Sequence, residues 1–176
     1  MKFCAFLRGV NIGGKSMKMA DAASVFEKAG MKEVKAVLAT GNIIFSSEKD
    51  RAELKVLLEK AMSEHFVYEC FMFIKTDEEI QKMLLKNPFE KSVENHIYLF
   101  VTTEGTENVL LEEFEKGRKT DQEKAQIVDG TLYWQVPKGN TLDSDFGKIL
   151  GRKALKDKIT SRNLNTFEKI NTKMNL

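Results

Sequence analysis

Apolar and polar residues in the first half of the chain switch between strand-like runs and helix-like spacing. The run KFCAFLR at 2–8 predicts a strand, and apolar residues three and four apart predict a helix over 19–29. Two apolar runs flanking ATGN (39–42) predict a β-hairpin whose glycine takes a positive φ. A helix over 50–66 and a buried strand over 67–74 complete the order β-α-β-β-α-β, that of a ferredoxin-like unit.

The second half of the chain carries a weaker form of the same pattern. A linking helix opens with a capping box of Thr76 and Glu79, and strand, helix and a hairpin around DGT (129–131) follow. No apolar run marks a last strand, so the copy is incomplete. We therefore predict an α+β fold of mainly antiparallel sheets. Two ferredoxin-like subdomains, 1–75 and 76–176, are expected to pack as one body, with a basic helical tail on the second.

The segment GVNIGGKS (9–16) matches the phosphate-loop pattern G-x-x-x-x-G-K-[ST]. In a phosphate loop the helix begins at the Gly-Lys-Ser end, where its amides face the phosphates. Here the helical spacing begins only at about Met19. The predicted hairpin also requires antiparallel strands, whereas phosphate-loop folds have parallel sheets. These features favour a glycine-rich turn, and a phosphate-loop-like nucleotide enzyme is the less favoured alternative.

Composition is that of a water-soluble globular protein with one basic end. Hydrophobic residues make up 42% of the 176 and charged residues 31%, and no run is long enough to span a membrane. Cys4 and Cys70 are too few for a disulfide framework, so we expect reduced thiols and a cytoplasmic location. From Lys148 onward there are eight basic and two acidic residues. Such a tail can attract phosphates or nucleic acid, although a solvated lysine-rich helix face has the same composition.

Five motifs resemble, in order, those of one family of bacterial proteins. They are LRGVNIGGKSMKM (7–19), ATGNIIFSS (39–47), NPF (87–89), QVPKG (135–139) and TSRNLNTFEKI (160–170). On these motifs the chain is identified as a member of the uncharacterised family called domain of unknown function 1697. The resemblance implies an α+β fold of two related subdomains and no known reaction. The chain departs from the family at Ala39, where glutamine is common, and at Leu164, where tryptophan is common.

The strand order of a ferredoxin-like unit brings two loops to one end of the sheet. Its third strand lies beside its first, so the glycine loop after strand one meets the ATGN hairpin. Exposed backbone N–H groups with cations around them suit an anion. We predict a small-anion or ligand site here, with the TSRNLNT segment closing over it. Its residues are Arg8, Asn11, Gly13, Gly14, Lys15, Gly41, Asn42, Arg162, Asn163 and Thr166.

Several of these residues also have a purely structural interpretation. Asn42 can support the hairpin turn, Asn163 can cap a helix, and Arg162 can pair with an acid. In that case the cluster is part of the scaffold, and the sequence alone leaves both interpretations open.

Other functions have weaker signals. Single-stranded RNA binding by a module of the same strand order needs exposed aromatic residues on the central strands, and strand three offers only Phe45. His65 and His96 lack metal-ligand spacing, and no catalytic constellation is recognised. We therefore expect no metal, no cofactor and no membrane partner, and we regard nucleic acid as an unfavoured partner. The expected state is a monomer or a weak homo-oligomer.

Overall fold

The computed structural model of the protein describes residues 1–12 and 15–176, and of residues 11, 12 and 15 it describes the backbone alone. Helices and strands are mixed along the chain. Two four-stranded sheets are present in the described part of the chain, and each has helices beside it. All strand pairs of both sheets are antiparallel. The predicted α+β class with mainly antiparallel sheets is thereby confirmed.

Residue contacts divide the chain into two units. Unit 1 consists of Met1–Gln81 and Glu168–Leu176, and unit 2 of Lys82–Phe167. Both boundaries fall inside helices, namely α3 (Asp77–Leu85) and α6 (Leu164–Met174). The predicted capping box opens α3: Thr76 N–H donates to Glu79, and Glu79 N–H donates to the Thr76 hydroxyl.

Unit 1 is built on a four-stranded sheet with a short two-stranded ribbon after its first strand. Its elements are β1 (Lys2–Arg8), β2 (Asn11–Ile12), β3 (Lys15–Ser16), α1 (Met19–Lys28), β4 (Lys32–Val37), β5 (Asn42–Ser46), α2 (Arg51–Phe66) and β6 (Phe71–Thr76). The strand order is β4-β5-β1-β6, and β2 and β3 form the ribbon. Apart from the ribbon, the succession is the predicted β-α-β-β-α-β.

Helices α1 and α2 of unit 1 pack on one face of its sheet. The aromatic ring of Phe45 on β5 stacks with Phe3 on β1 at 5.5 Å and meets Phe26 of α1 edge-on at 5.4 Å. Apolar side chains of both helices join those of β1 and β5 in one buried cluster. Helix α2 begins with a capping box, in which Asp50 and Glu53 exchange side-chain and backbone hydrogen bonds, and this stabilises its first turn.

The strand predicted over 67–74 is wrong at its start, because β6 begins at Phe71. Val67 instead ends α2 in a left-handed conformation, with φ 53°, and is 89% exposed. The backbone N–H of Cys70 then donates to the Ser63 hydroxyl at 2.9 Å. Apolar composition alone did not distinguish this connection from a strand.

Unit 2 contains a second sheet of the same strand order. Its elements are β7 (Asn95–Thr102), α4 (Thr106–Lys116), β8 (Lys124–Val128), β9 (Thr131–Pro137), α5 (Asp145–Ile149), a 3₁₀ helix (Lys153–Leu155) and β10 (Ile159–Asn163). The sheet order is β10-β7-β9-β8. Strand β10 is the final strand of this unit, and the sequence did not predict it. It is an edge strand with the polar sequence ITSRN, and only its first two residues are buried, so it has no apolar alternation.

An aromatic cluster and a buried carboxylate organise the core of unit 2. Phe146 of α5 meets Trp134 and Phe114 edge-on, at 5.0 and 5.4 Å. The Trp134 indole N–H donates to the Glu123 carboxylate at 3.1 Å, and Glu123 is only 6% exposed. Burial raises the pKa of Glu123, although hydrogen bonds act in the opposite direction. Asp145 accepts a hydrogen bond from the Arg118 backbone, which lowers the pKa of Asp145.

Candidate functional site

The loop after β1 and the hairpin between β4 and β5 meet at one end of the sheet of unit 1. The Leu7 N–H donates to the Gly41 carbonyl at 2.7 Å. A Cβ at Gly41 would lie 2.8 Å from Val10 Cγ1, so only glycine fits this approach. Gly9, Leu38 and Gly41 all have positive φ, at 81°, 61° and 79°. This end of the sheet is therefore tightly turned, with left-handed residues in both loops.

Asn42 holds the hairpin in shape. It is completely buried, and its Nδ2 donates to the Val37 carbonyl at 3.0 Å and to the Thr40 hydroxyl at 2.9 Å. On the neighbouring strand it pairs with Phe6. These bonds give Asn42 the turn-supporting role that the structural interpretation assigned to it.

Arg8 is the last residue of β1 and is partly buried, opposite Phe71 on β6. Burial disfavours the charged form and lowers the pKa of the Arg8 guanidinium. Arginine remains charged at neutral pH even so. A partly desolvated cation at a sheet end favours a negative charge beside it.

The remaining residues of the loop are described only in part. Gly13 and Gly14 lie outside the described residues, as do the side chains of Asn11 and Lys15. The backbone pairs Asn11 with Ser16 in the β2–β3 ribbon. The Lys-Ser end of the glycine motif is thus in a β-ribbon, and α1 begins only at Met19. Phosphate-loop geometry, which needs a helix N-terminus at that point, is not formed by the described backbone.

In unit 2, Arg162 is held along its own strand. Its Nη1 donates to the Thr160 hydroxyl at 2.7 Å and to the Ser161 carbonyl at 2.9 Å. In the register of the sheet it pairs with Leu99 of β7. Thr166 lies on the first turn of α6 and is partly exposed.

Asn163 joins β10 to α6. Its Oδ1 accepts the Asn165 N–H at 2.9 Å, which is the capping role that the structural interpretation predicted. This bond orients the amide, so its Nδ2 faces His96 Nδ1 at 3.0 Å. Since Nδ2 can only donate, His96 Nδ1 accepts and its proton resides on Nε2. From the sequence, His96 was considered only as a possible metal ligand. Because strand β10 was not predicted, no sequence pattern indicated that His96 lies beside Asn163.

Five aromatic residues on β1, β5 and β9 are not available for base stacking. Phe3 and Phe6 on β1 and Phe45 on β5 are at most 2% exposed, and Tyr133 and Trp134 on β9 are at most 1% exposed. An RNA-recognition sheet requires such rings at its surface. On these strands the structure therefore gives the RNA alternative no support.

The described residues lack two further features. No group of three or more His, Cys, Asp or Glu side chains among them could hold a metal ion. None of their helices combines the length and the apolar character that crossing a membrane requires.

Comparisons with known proteins agree with this fold. A family model described as a protein of unknown function (DUF1697) matches residues 1–133. Comparison with curated proteins gives no match. Among solved structures, a conserved bacterial protein from Streptococcus pneumoniae is similar with a TM-score of 0.78. It is 22% identical, and the match covers 97% of each chain. At that identity the likeness establishes the fold alone.

Proposed function

We propose that this chain, which belongs to the DUF1697 family of proteins of unknown function, binds a small anionic ligand. Membership of this family does not identify a reaction. The proposed site is the end of the unit 1 sheet where β1 and the β4–β5 hairpin meet. We call it the glycine-loop end and define it by Arg8, residues 9–15, Gly41 and Asn42.

The observation that carries the proposal is a partly buried guanidinium beside tightly turned backbone. Arg8 directly follows Leu7, whose N–H is bonded to Gly41, and directly precedes the left-handed Gly9. Left-handed residues in turns expose successive N–H groups, and such concave surfaces attract anions. Residues 1–20 and 34–47 contain no acidic residue, so the sequence around both loops carries only positive side-chain charge.

Each group has a distinct role in the proposal. Arg8 supplies a planar, two-pronged donor for an oxyanion, and Lys15 a second charge. Asn11, Gly13 and Gly14 supply polar and backbone donors, while Gly41 and Asn42 hold the opposite wall. Arg162, Asn163 and Thr166 are proposed to close the site, and the bonds from Arg162 to Thr160 and Ser161 hold its guanidinium in place beforehand.

Thermal-shift measurements with phosphate, sulfate, nucleotides and small carboxylates test the proposal. A ligand at 100 times its Kd stabilises the folded state by about 2.7 kcal/mol, which gives a clear rise in Tm. We expect at least one of these anions to raise the Tm of the wild type. Arg8→Ala and Arg162→Ala are each expected to weaken its binding at least tenfold.

Arg51→Ala is the matched control. It removes the same charge from unit 1, at the start of α2, where Arg51 pairs with Glu79 at the surface. Its response should equal that of the wild type once the unliganded Tm is subtracted. If no anion stabilises the wild type, or if Arg8→Ala and Arg162→Ala both respond like Arg51→Ala, the cluster is scaffold and the proposal fails.

The cysteines support a cytoplasmic location as part of the proposal. Cys4 and Cys70 are both buried, and neither forms a disulfide. Burial raises the pKa of the Cys70 thiol to about 11, which leaves it protonated and unreactive at neutral pH. Two buried cysteines without a disulfide fit a reducing compartment.

A further inference from the structure

A cleft in unit 1 lies at the other end of the sheet from Arg8. It is bordered by the start of β1, the end of β5 that pairs with it, the start of β4 on the far side of β5, and the last turn of α6. Lys2 and Arg8 are six residues apart on β1, which corresponds to ~20 Å at about 3.3 Å per residue. The cleft is therefore separate from the glycine-loop end.

An irregularity in β4 shapes one wall of the cleft. The register of β4 on β5 shifts between Lys32 and Lys35, and Glu33 within this bulge has φ 52°. Left-handed backbone is strained for glutamate, and such strain is concentrated at functional sites. The Glu33 carboxylate accepts the Ser46 hydroxyl at 2.6 Å, which fixes it on the cleft wall.

Cations outnumber anions among the side chains lining the cleft. The lining side chains include three ammonium groups, those of Lys2, Lys35 and Lys173, and one side-chain carboxylate, that of Glu33. The Lys2 ammonium is bound to the Met174 carbonyl, at the negative end of α6, at 2.7 Å. Lys35 and Lys173 have no hydrogen bond or ion pair with any residue that the structure describes. Two ammonium groups thus remain available around the cleft.

Ile44 and Met174 also line the cleft, but they are only 4% and 1% exposed. The surface that a ligand would meet in the cleft is therefore mainly polar.

We propose that this cleft is a second binding site and that it takes the phosphate group of a small molecule. Lysine ammonium groups act as point charges that surround a tetrahedral oxyanion without a fixed geometry. The charge of the phosphate dianion matches the ammonium groups of Lys35 and Lys173, which form no hydrogen bond or ion pair with a described residue. Glu33 opposes too close an approach and so limits affinity.

Inorganic phosphate is the probe, and backbone amide shifts in NMR spectra are the readout. Titrations are made at constant ionic strength with chloride as the balancing anion, in the Arg8→Ala background, so that binding at the glycine-loop end is removed. We expect saturable shifts at Lys35 and Ser46. Lys35→Ala/Lys173→Ala should lower the affinity at least tenfold, and Glu33→Gln should raise it several-fold because it removes a repelling charge.

Lys60→Ala/Lys116→Ala is the matched control, because it also removes two lysines but neither of them lines the cleft. The side chains of Lys60 and Lys116 are 72% and 69% exposed. It should bind phosphate as the parent does. The proposal is overturned if chloride produces the same shifts, if the control loses as much affinity as Lys35→Ala/Lys173→Ala, or if Glu33→Gln has no effect. None of these outcomes bears on the glycine-loop end, whose test depends on Arg8 and Arg162.

Discussion

Val67 occupies a backbone conformation that its side chain disfavours. A left-handed conformation costs a branched residue roughly 1–2 kcal/mol relative to glycine, and asparagine tolerates it better. The side chain of Val67 is 89% exposed, so almost no packing compensates for the strain. The position is set by the way the chain leaves α2, with the Val67 and Tyr68 N–H groups both directed at the Ser63 carbonyl.

Val67→Asn is therefore expected to raise the free energy of unfolding by about 1 kcal/mol. Denaturant unfolding measures it, as a higher midpoint at unchanged slope. Val56→Asn is the control, since Val56 is 70% exposed inside the same helix. Valine and asparagine have similar helix propensities, so this variant should change stability by less than ~0.5 kcal/mol. Equal effects of the two substitutions would contradict the strain explanation.

At the scale of elements, helix α2 protects an edge of the sheet. Among the described strands β6 pairs with β1 alone, so its outer N–H and C=O groups would be exposed to pairing with another chain. Side chains of α2 bind them instead. Glu59 accepts the Met72 N–H at 2.9 Å, and Lys55 donates to the Met72 carbonyl at 2.7 Å. Lys55 and Glu59 also pair with each other at 2.6 Å, so one ion pair covers both backbone groups.

Glu59→Leu should lower the free energy of unfolding by about 1–2 kcal/mol, because it leaves the Met72 N–H without its acceptor. It should also speed hydrogen exchange at the Met72 amide and increase aggregation. Glu59→Gln keeps an acceptor oxygen, so its free energy of unfolding should fall by less than half as much as that of Glu59→Leu. Glu64→Leu, at an exposed pair 3.9 Å from Lys60, is the control and should be nearly neutral. An unchanged exchange rate at Met72 in Glu59→Leu would contradict this account.

Elements with strong local signals were predictable from the sequence, and those set by distant partners were not. Helix α2 occupies Arg51–Phe66 where 50–66 was predicted, and the Thr76–Glu79 capping box has both of its bonds. Strand β10 escaped prediction because backbone pairing with β7, rather than apolar alternation, makes it a strand. The Asn163–His96 contact depends on that strand and was missed with it. In the candidate site, the meeting of the two loops followed from strand order alone.

For the whole molecule, carboxyl groups with shifted pKa values make stability depend on pH. The pKa values of Glu33, Glu79 and Asp145 are lowered. Such groups stabilise the folded state above their unfolded pKa, and that stability is lost as the pH falls through their folded pKa. The pKa of Glu123 is raised, so its contribution has the opposite sign. Between its unfolded and folded pKa values the native state binds more protons, and stability falls as the pH rises.

Glu123→Gln should therefore make the loss of stability in acid steeper. Unfolding free energies of the wild type and the variant, measured from pH 3 to 7, give a difference that isolates this carboxyl. We expect the free energy of unfolding of the variant to rise relative to that of the wild type as the pH increases from about 4.5 through the folded pKa of Glu123. A difference that is flat with pH would show that burial does not disfavour the charged form.

Unit 1 is assembled from segments that a ribosome makes at different times. The Lys2 ammonium is bonded to the Met174 carbonyl, 172 positions away, and Ile170 and Met174 of α6 are at most 1% exposed. All of unit 2 is synthesised between these two parts of unit 1. Unit 2 can therefore complete its core first, while the earlier-made strands of unit 1 await a late helix. Closing so long a loop is entropically costly and slows folding, so unit 1 is the part of a nascent chain that chaperones would meet incomplete.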